Sequence, residues 1–148
     1  MKIYLDTCCL NRPYDDQNQD RIRIETEAIT LLMEHIVKDE YLMVSSETLI
    51  FEVSNTKDQT RKENMISFLH FACKIVKVNE RILNRMEKLN NFGFRPLDAL
   101  HIACAEYGKA ELFFTTDDQL LKVSKRLDTK ALNLEIKNPL QWFKDKTT

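Results

Sequence analysis

Short apolar runs alternate along the chain with longer segments of helical period. That alternation constrains the fold most, because parallel strands are joined only by helix-length crossovers. Lys2-Ile3-Tyr4-Leu5 reads as the first strand, followed by an Asn/Asp/Pro-rich loop from Asn11 to Asp20. On a helix from Arg21 to Lys38, Ile22, Ala28, Ile29, Leu32 and Ile36 share one face. Tyr41 to Val44 is a buried strand, Ser45 or Ser46 caps a helix through Asn55, and a second helix fits Thr60 to Ala72. Lys74 to Val78 is a third strand, and Glu80 to Asn91 a helix with Gly93 suited to its C-terminal cap. Pro96 opens the next helix, Leu97 to Tyr107, ended by Gly108. Leu112 to Thr115 is a strand, Asp117 to Leu127 a helix, Ala131 to Ile136 the last strand, and a short helix starts near Pro139. One doubly wound α/β domain over residues 1–148 is expected, with ligands beyond the carboxyl ends of its strands.

Composition removes several functions. With 22 Lys+Arg against 23 Asp+Glu the net charge is -1, so a bound polyanion must be held by a local patch or a metal. The two glycines, Gly93 and Gly108, are too far apart for a dinucleotide fingerprint or a phosphate-cradling loop. Cys8, Cys9, Cys73 and Cys104 form no C-x-x-C pair, and His35, His70 and His101 no H-E-x-x-H, so zinc spacings are missing. Met1 to Asp6 runs directly into an apolar strand, and no stretch is apolar enough to span a bilayer. An unprocessed cytoplasmic protein with no membrane association is the expectation.

Four carboxylates carry the chemical signal. Asp6 closes the first strand and Asp117 follows Leu112-Phe113-Phe114-Thr115-Thr116, both at carboxyl ends of buried strands. Glu52 lies within Leu49-Ile50-Phe51-Glu52-Val53 and Asp98 within Pro96-Leu97-Asp98-Ala99-Leu100, each a lone charge in an apolar stretch. A buried carboxylate needs a partner. Lys and Arg are scarce beside these positions, so a hard divalent cation is expected rather than an internal salt bridge. Helix-dipole placement of Asp98 and N-capping by Asp117 are the purely structural alternatives.

Leu5-Asp6-Thr7, Glu52, Asp98-Ala99-Leu100-His101-Ile102-Ala103 and Phe114-Thr115-Thr116-Asp117-Asp118 together resemble the spaced acidic motifs of the PIN domain, in order and over nearly the whole chain. The resemblance implies a PIN-like α/β/α sandwich on a five-stranded parallel sheet and a Mg²⁺- or Mn²⁺-dependent endoribonuclease. Single-domain bacterial and archaeal members are mostly similar to VapC-type toxins of toxin-antitoxin pairs. On that resemblance Asp6, Glu52, Asp98 and Asp117 match the acidic quartet, as catalytic and metal-holding residues converging on one pocket, and Thr115 matches the hydroxyl residue of the Thr-x-Asp element, expected to contact substrate. The chain departs from the pattern at Cys8, where many members have Ser or Asn.

Secondary candidates surround the quartet. His101, three residues after Asp98, shares its helix face and could orient that carboxylate or touch substrate; a packed histidine is the alternative. Asp118 is either a group behind the metal ligands or a first-turn acid, and Arg12, near Arg21 and Arg23, is a candidate for a substrate phosphate. The Cys8-Cys9 pair reads as packing on a strand or turn, and Phe68, Phe71, Phe92, Phe94, Phe113 and Phe114 as core. Ile22, Ile24, Ile50, Phe51, Met65 and Phe68 exceed what one small domain covers, which points to a homodimer or to an antitoxin helix in a groove, beside the RNA substrate. A binding or scaffold module of the same fold with feeble catalysis remains open. A haloacid-dehalogenase-like phosphohydrolase is disfavoured because Asp6-Thr7-Cys8 lacks its Asp-x-Asp.

Overall fold

The structure is a computed structural model that describes residues 1–147. Its five parallel strands, β1 (Lys2–Leu5), β2 (Leu42–Ser46), β3 (Lys74–Val76), β4 (Leu112–Phe114) and β5 (Glu135–Lys137), run in the order β3-β2-β1-β4-β5. Among the described residues eight α-helices and a 3-10 turn at Arg12–Tyr14 connect or flank them: α1 (Thr7–Asn11), α2 (Asp20–Val37), α3 (Glu47–Ser54), α4 (Gln59–Leu69), α5 (Glu80–Asn91), α6 (Pro96–Tyr107), α7 (Asp118–Arg126) and α8 (Pro139–Lys146). The chain winds outward from β1 to β3 and then continues from β4, on the other side of β1, to β5. The switch point of strand order therefore lies between β1 and β4, where the expected ligand crevice opens at the carboxyl ends.

Side-chain alternation along the central strands explains the two helical layers. Tyr4 and Phe113 are register partners whose rings stack at 5.3 Å, on the face where Tyr4 also meets His101 of α6. The next residue, Phe114, points the other way and meets Trp142 of α8 edge-on at 5.3 Å, and α8 packs on α2. Both faces of the central β1 and β4 are covered, so these two strands are apolar almost throughout, as in parallel sheets generally. No helix among the described residues is long and apolar enough to cross a membrane.

Several boundaries differ from the sequence reading, each for a local reason. Helix α1 occupies residues expected to be strand end and loop, because Asp6 caps it; at five residues it is too short to show a period, and Cys8 and Cys9 sit on it. Helix α4 stops at Leu69 rather than Ala72, and strand β5 begins at Glu135 rather than Ala131. Upstream of β5 the backbone is already engaged: the Ala131 carbonyl accepts from Arg85 at 2.7 Å and the Asn133 amide donates to Glu106 at 2.8 Å. Gly93 takes the left-handed φ of 117° expected after α5. Gly108 does not: Lys109 holds the positive φ of 66°, and Gly108 is required because a Cβ there would stand 2.6 Å from Val44 and 2.9 Å from Val76. Phe94, Phe113 and Phe114 are core as expected, whereas Phe71 and Phe92, at helix ends, are exposed.

Candidate functional site

Asp6 leaves β1 in extended conformation and serves as N-cap of α1, with Oδ1 accepting the Thr7 amide at 2.9 Å. Its backbone amide continues the ladder to the Phe114 carbonyl at 2.9 Å, which ties the carboxylate to the β1–β4 switch point. Oδ2 accepts the Thr115 hydroxyl at 2.8 Å and the Cys8 thiol at 3.4 Å. Asp6 is 7 % exposed, and burial pushes its carboxyl above the ordinary range against the opposing hydrogen bonds from Thr115 and Cys8, with the neighbouring Glu52 adding to the rise.

Thr115, expected to meet substrate, is wholly buried. Its hydroxyl is used within the protein, donating to Asp6 and accepting the Asp117 amide at 3.1 Å, so its role is to hold the site. Cys8, the departure from the family pattern, is half-buried and polar in its contacts: its sulfur lies 3.3 Å from the Thr115 hydroxyl and accepts the Thr116 amide at 3.3 Å. Cys9 is the packing cysteine of the pair, buried and donating to the Phe114 carbonyl at 3.4 Å.

Ser46 ends β2 and caps α3, its hydroxyl accepting the Leu49 amide at 3.0 Å, and the helix turns Glu52 toward Asp6. Glu52 Oε1 accepts the Thr7 hydroxyl, and His101 Nε2 lies 2.8 Å from the same oxygen. Burial would raise the Glu52 carboxyl, but the hydrogen bonds from His101 and Thr7 outweigh it and hold it below the ordinary range. His101 thus engages Glu52 rather than its helix neighbour Asp98. Asp6, Glu52 and His101 each bring one ligand-type atom within 4.8 Å of the others.

The other two carboxylates are held together by an arginine. Arg95, just before Pro96 at the start of α6, donates through Nε to Asp98 Oδ2 at 2.9 Å and through Nη2 to Asp117 Oδ2. The expectation that a cation rather than a salt bridge partners the quartet, Lys and Arg being scarce beside it, is corrected for Asp98 and Asp117 by this contact: Arg95 lies one helical turn before Asp98, and the loop after β4 brings Asp117 to it. Asp117 Oδ1 caps α7 through the amides of Gln119 at 2.9 Å and Leu120 at 3.2 Å. Burial raises the Asp98 carboxyl against the pull of Arg95, and the charges of Asp6 and Asp117 raise it further, so Asp98 lies within the field of both.

The remaining candidates face elsewhere. Arg12, proposed for a phosphate, lies 3.1 Å from buried Glu25 and 3.3 Å from Asp15, so its charge is neutralised inside the protein. Asp118 is exposed and paired with Arg21 at 2.7 Å, which holds its carboxyl below the ordinary range; the acidic cluster does not include it. Glu25, which also accepts Asn138 Nδ2 at 2.7 Å, is a buried charge the sequence reading passed over because it lies on the polar stretch of α2.

Both ring nitrogens of His101 are hydrogen-bonded, Nδ1 to the Tyr4 hydroxyl at 2.7 Å and Nε2 to Glu52, so the donors left for a ligand are carboxylate oxygens. Such a donor set suits a hard divalent cation and not zinc. A cleft of about 670 Å³ lined by Ser124, Asp128, Leu132 and Lys137 holds none of these carboxylates.

The chain is similar in structure to VapBC2 from Rickettsia felis bound to a DNA fragment from their promoter, with TM-score 0.56 and 17% identity over 93% of this chain and 98% of that one. It is also similar to VapBC-1 from nontypeable Haemophilus influenzae, with TM-score 0.56 and 15% identity over 94% of this chain and 98% of that one. At these identities the likeness is one of fold. No curated protein sequence matches the chain. The family model described as PIN domain matches residues 3–126, from the strand that ends in Asp6 to the end of the helix that Asp117 caps, and the chain belongs to the PIN domain family.

Proposed function

We propose that this protein is a Mg²⁺- or Mn²⁺-dependent endoribonuclease that hydrolyses RNA phosphodiester bonds and serves as the toxin of a toxin-antitoxin pair. The observation that carries the reading is the meeting of buried Asp6 and half-buried Glu52 at the switch point, where burial raises the Asp6 carboxyl and, among the described residues, no Lys or Arg pairs with either. Two acids so placed repel until a cation arrives. Asp6, Glu52 and Asp98 would hold it, and Asp117 joins them where Arg95 releases its Oδ2. A bound divalent cation there lowers the pKa of water and neutralises charge building on the scissile phosphate. Thr115 and Cys8 fix Asp6, Thr7 and His101 fix Glu52, and no side chain is required as a covalent nucleophile.

The relatives of similar fold are VapBC complexes, which supports an antitoxin-type protein as partner. A second copy of the chain is the other proposed partner, through the exposed apolar side chains Ile24 and Phe51. The hold of Arg95 on Asp98 and Asp117 is the feature that favours the alternative, a binding module with feeble catalysis.

Product analysis distinguishes the two. Purified protein incubated with single-stranded RNA and Mn²⁺ is expected to release fragments without 2′,3′-cyclic phosphate, because an external water rather than the 2′-hydroxyl attacks the phosphate. Intact RNA over many hours, or fragments ending in a cyclic phosphate, would contradict the proposal.

A further inference from the structure

Behind Glu52 lies a chain of buried polar groups that metal coordination alone does not explain. The Tyr4 hydroxyl, wholly buried in β1, is 2.7 Å from Ser46 Oγ and 2.7 Å from His101 Nδ1, and His101 Nε2 continues to Glu52 Oε1 at 2.8 Å. Ser46 Oγ has already accepted the Leu49 amide. Burying a tyrosine, a histidine and a serine together is costly unless each hydrogen finds an acceptor. A carboxylate only accepts, so Nε2 must carry the hydrogen it gives to Glu52. In the neutral ring Nδ1 is then bare and takes the Tyr4 O–H, and the Tyr4 oxygen in turn takes the Ser46 O–H. One direction of donation runs from β2 through β1 and α6 to α3, with every hydrogen placed.

We propose that Ser46 and Tyr4 are positioning residues which, through His101, lock Glu52 in place. Their chain fixes the His101 ring as the Nε2–H tautomer. Its donation, with that of the Thr7 hydroxyl, falls on Oε1 of Glu52. Oε2 is left without a protein donor among the described residues and so free for a hard divalent cation. A ligand atom held from both sides in this way loses little freedom on binding, and outer hydrogen bonds of this kind typically alter metal affinity by about 10- to 100-fold. The inference rests on the metal reading of the previous subsection for its ligand, but the tautomer does not.

Two measurements test it. The ¹⁵N resonances of the His101 ring in metal-free wild-type protein are expected to show a protonated Nε2 and an unprotonated Nδ1; a protonated Nδ1 would overturn the chain. Tyr4→Phe keeps the ring stacked on Phe113 while removing the hydroxyl. It is expected to mix the His101 tautomers and to weaken Mn²⁺ binding, read by calorimetry, by about tenfold or more. Folded Tyr4→Phe protein with wild-type tautomer and wild-type Mn²⁺ affinity would overturn the positioning role. Should Tyr4→Phe not fold, Ser46→Ala read for the same two quantities decides. Wild-type protein that binds no Mn²⁺ would overturn the metal reading and the role of Oε2 with it, and the ring spectrum would still decide the tautomer.

Discussion

Arg95 Nε stands 2.9 Å from Asp98 Oδ2, and the same guanidinium also grips Asp117, so one positive charge lies between two members of the acidic quartet. Arg95 is half exposed on its remaining side. A cation entering between the carboxylates and this guanidinium compete for the same oxygens.

Arg95→Gln is therefore expected to do two opposite things. Without divalent cation, Asp98 and Asp117 repel unscreened, and the melting temperature falls by about 1–4 °C, as loss of a partly exposed ion pair worth roughly 0.2–1 kcal/mol implies. With the competing charge gone, Mn²⁺ binds about three- to tenfold more tightly. Melting curves and calorimetric titration check both, and weaker Mn²⁺ binding in the variant would show that Arg95 builds the site rather than occupying it.

The pH dependence follows from Asp6 and Asp98. Both carboxyls are raised by burial, so in the folded protein they hold protons that the unfolded chain releases near pH 3.9. The cost of ionising them is absent below that value, grows as pH rises through the folded values, and is complete above them. Glu52 runs the other way: its depressed carboxyl contributes stability at neutral pH that is lost as pH falls through its folded value. A cation offsets a cost that exists only at higher pH. The Mn²⁺-induced rise in melting temperature is expected to be larger at about pH 7.5 than at about pH 5, because protons compete more strongly with the ion as pH falls. Equal rises at the two values would contradict the linkage.

Much of the site was legible in the sequence because a charge in an apolar run is conspicuous: Asp6 at the end of Ile3-Tyr4-Leu5 and Glu52 inside Ile50-Phe51-Glu52-Val53 could be found without coordinates. The parallel sheet was legible for the same reason, since strands buried on both faces are nearly continuous apolar runs. What strand order and loop geometry decide was not legible. Nothing in sequence places Tyr4 of β1 against His101 of α6, or brings Asp117 to Arg95, since these contacts join segments far apart in the chain. Nor does the sequence show that α2 supplies buried Glu25 to pair with Arg12, since the two lie in different elements. Thr7 had a weak signal in its place beside Asp6, but only the fold of α3 makes its hydroxyl a donor to Glu52.

Self-association depends on what the core leaves uncovered. Met65 is buried, and Ile50 and Phe68 pack on the core, so the expected surplus of apolar surface reduces to half-buried Ile22, to Ile24 and to Phe51, which is 70 % exposed next to Glu52. Sedimentation at micromolar concentration is expected to show a dimer that Phe51→Ser converts to monomer. A wild-type monomer across a hundredfold concentration range would rule out the homodimer and leave that surface to a partner protein.

On the proposed function, the carboxylate pair at the β1–β4 switch point binds the cation that hydrolysis of RNA requires. The most direct test is the rate of single-stranded RNA cleavage by wild-type and Asp6→Asn protein across a Mn²⁺ titration, with both shown folded by melting. The account predicts cleavage that rises with Mn²⁺, vanishes in EDTA, and falls by roughly a hundredfold or more in the variant, while relief of the buried charge leaves the fold as stable or more so. Wild-type cleavage that persists in EDTA, or undiminished cleavage by folded Asp6→Asn protein, would contradict it.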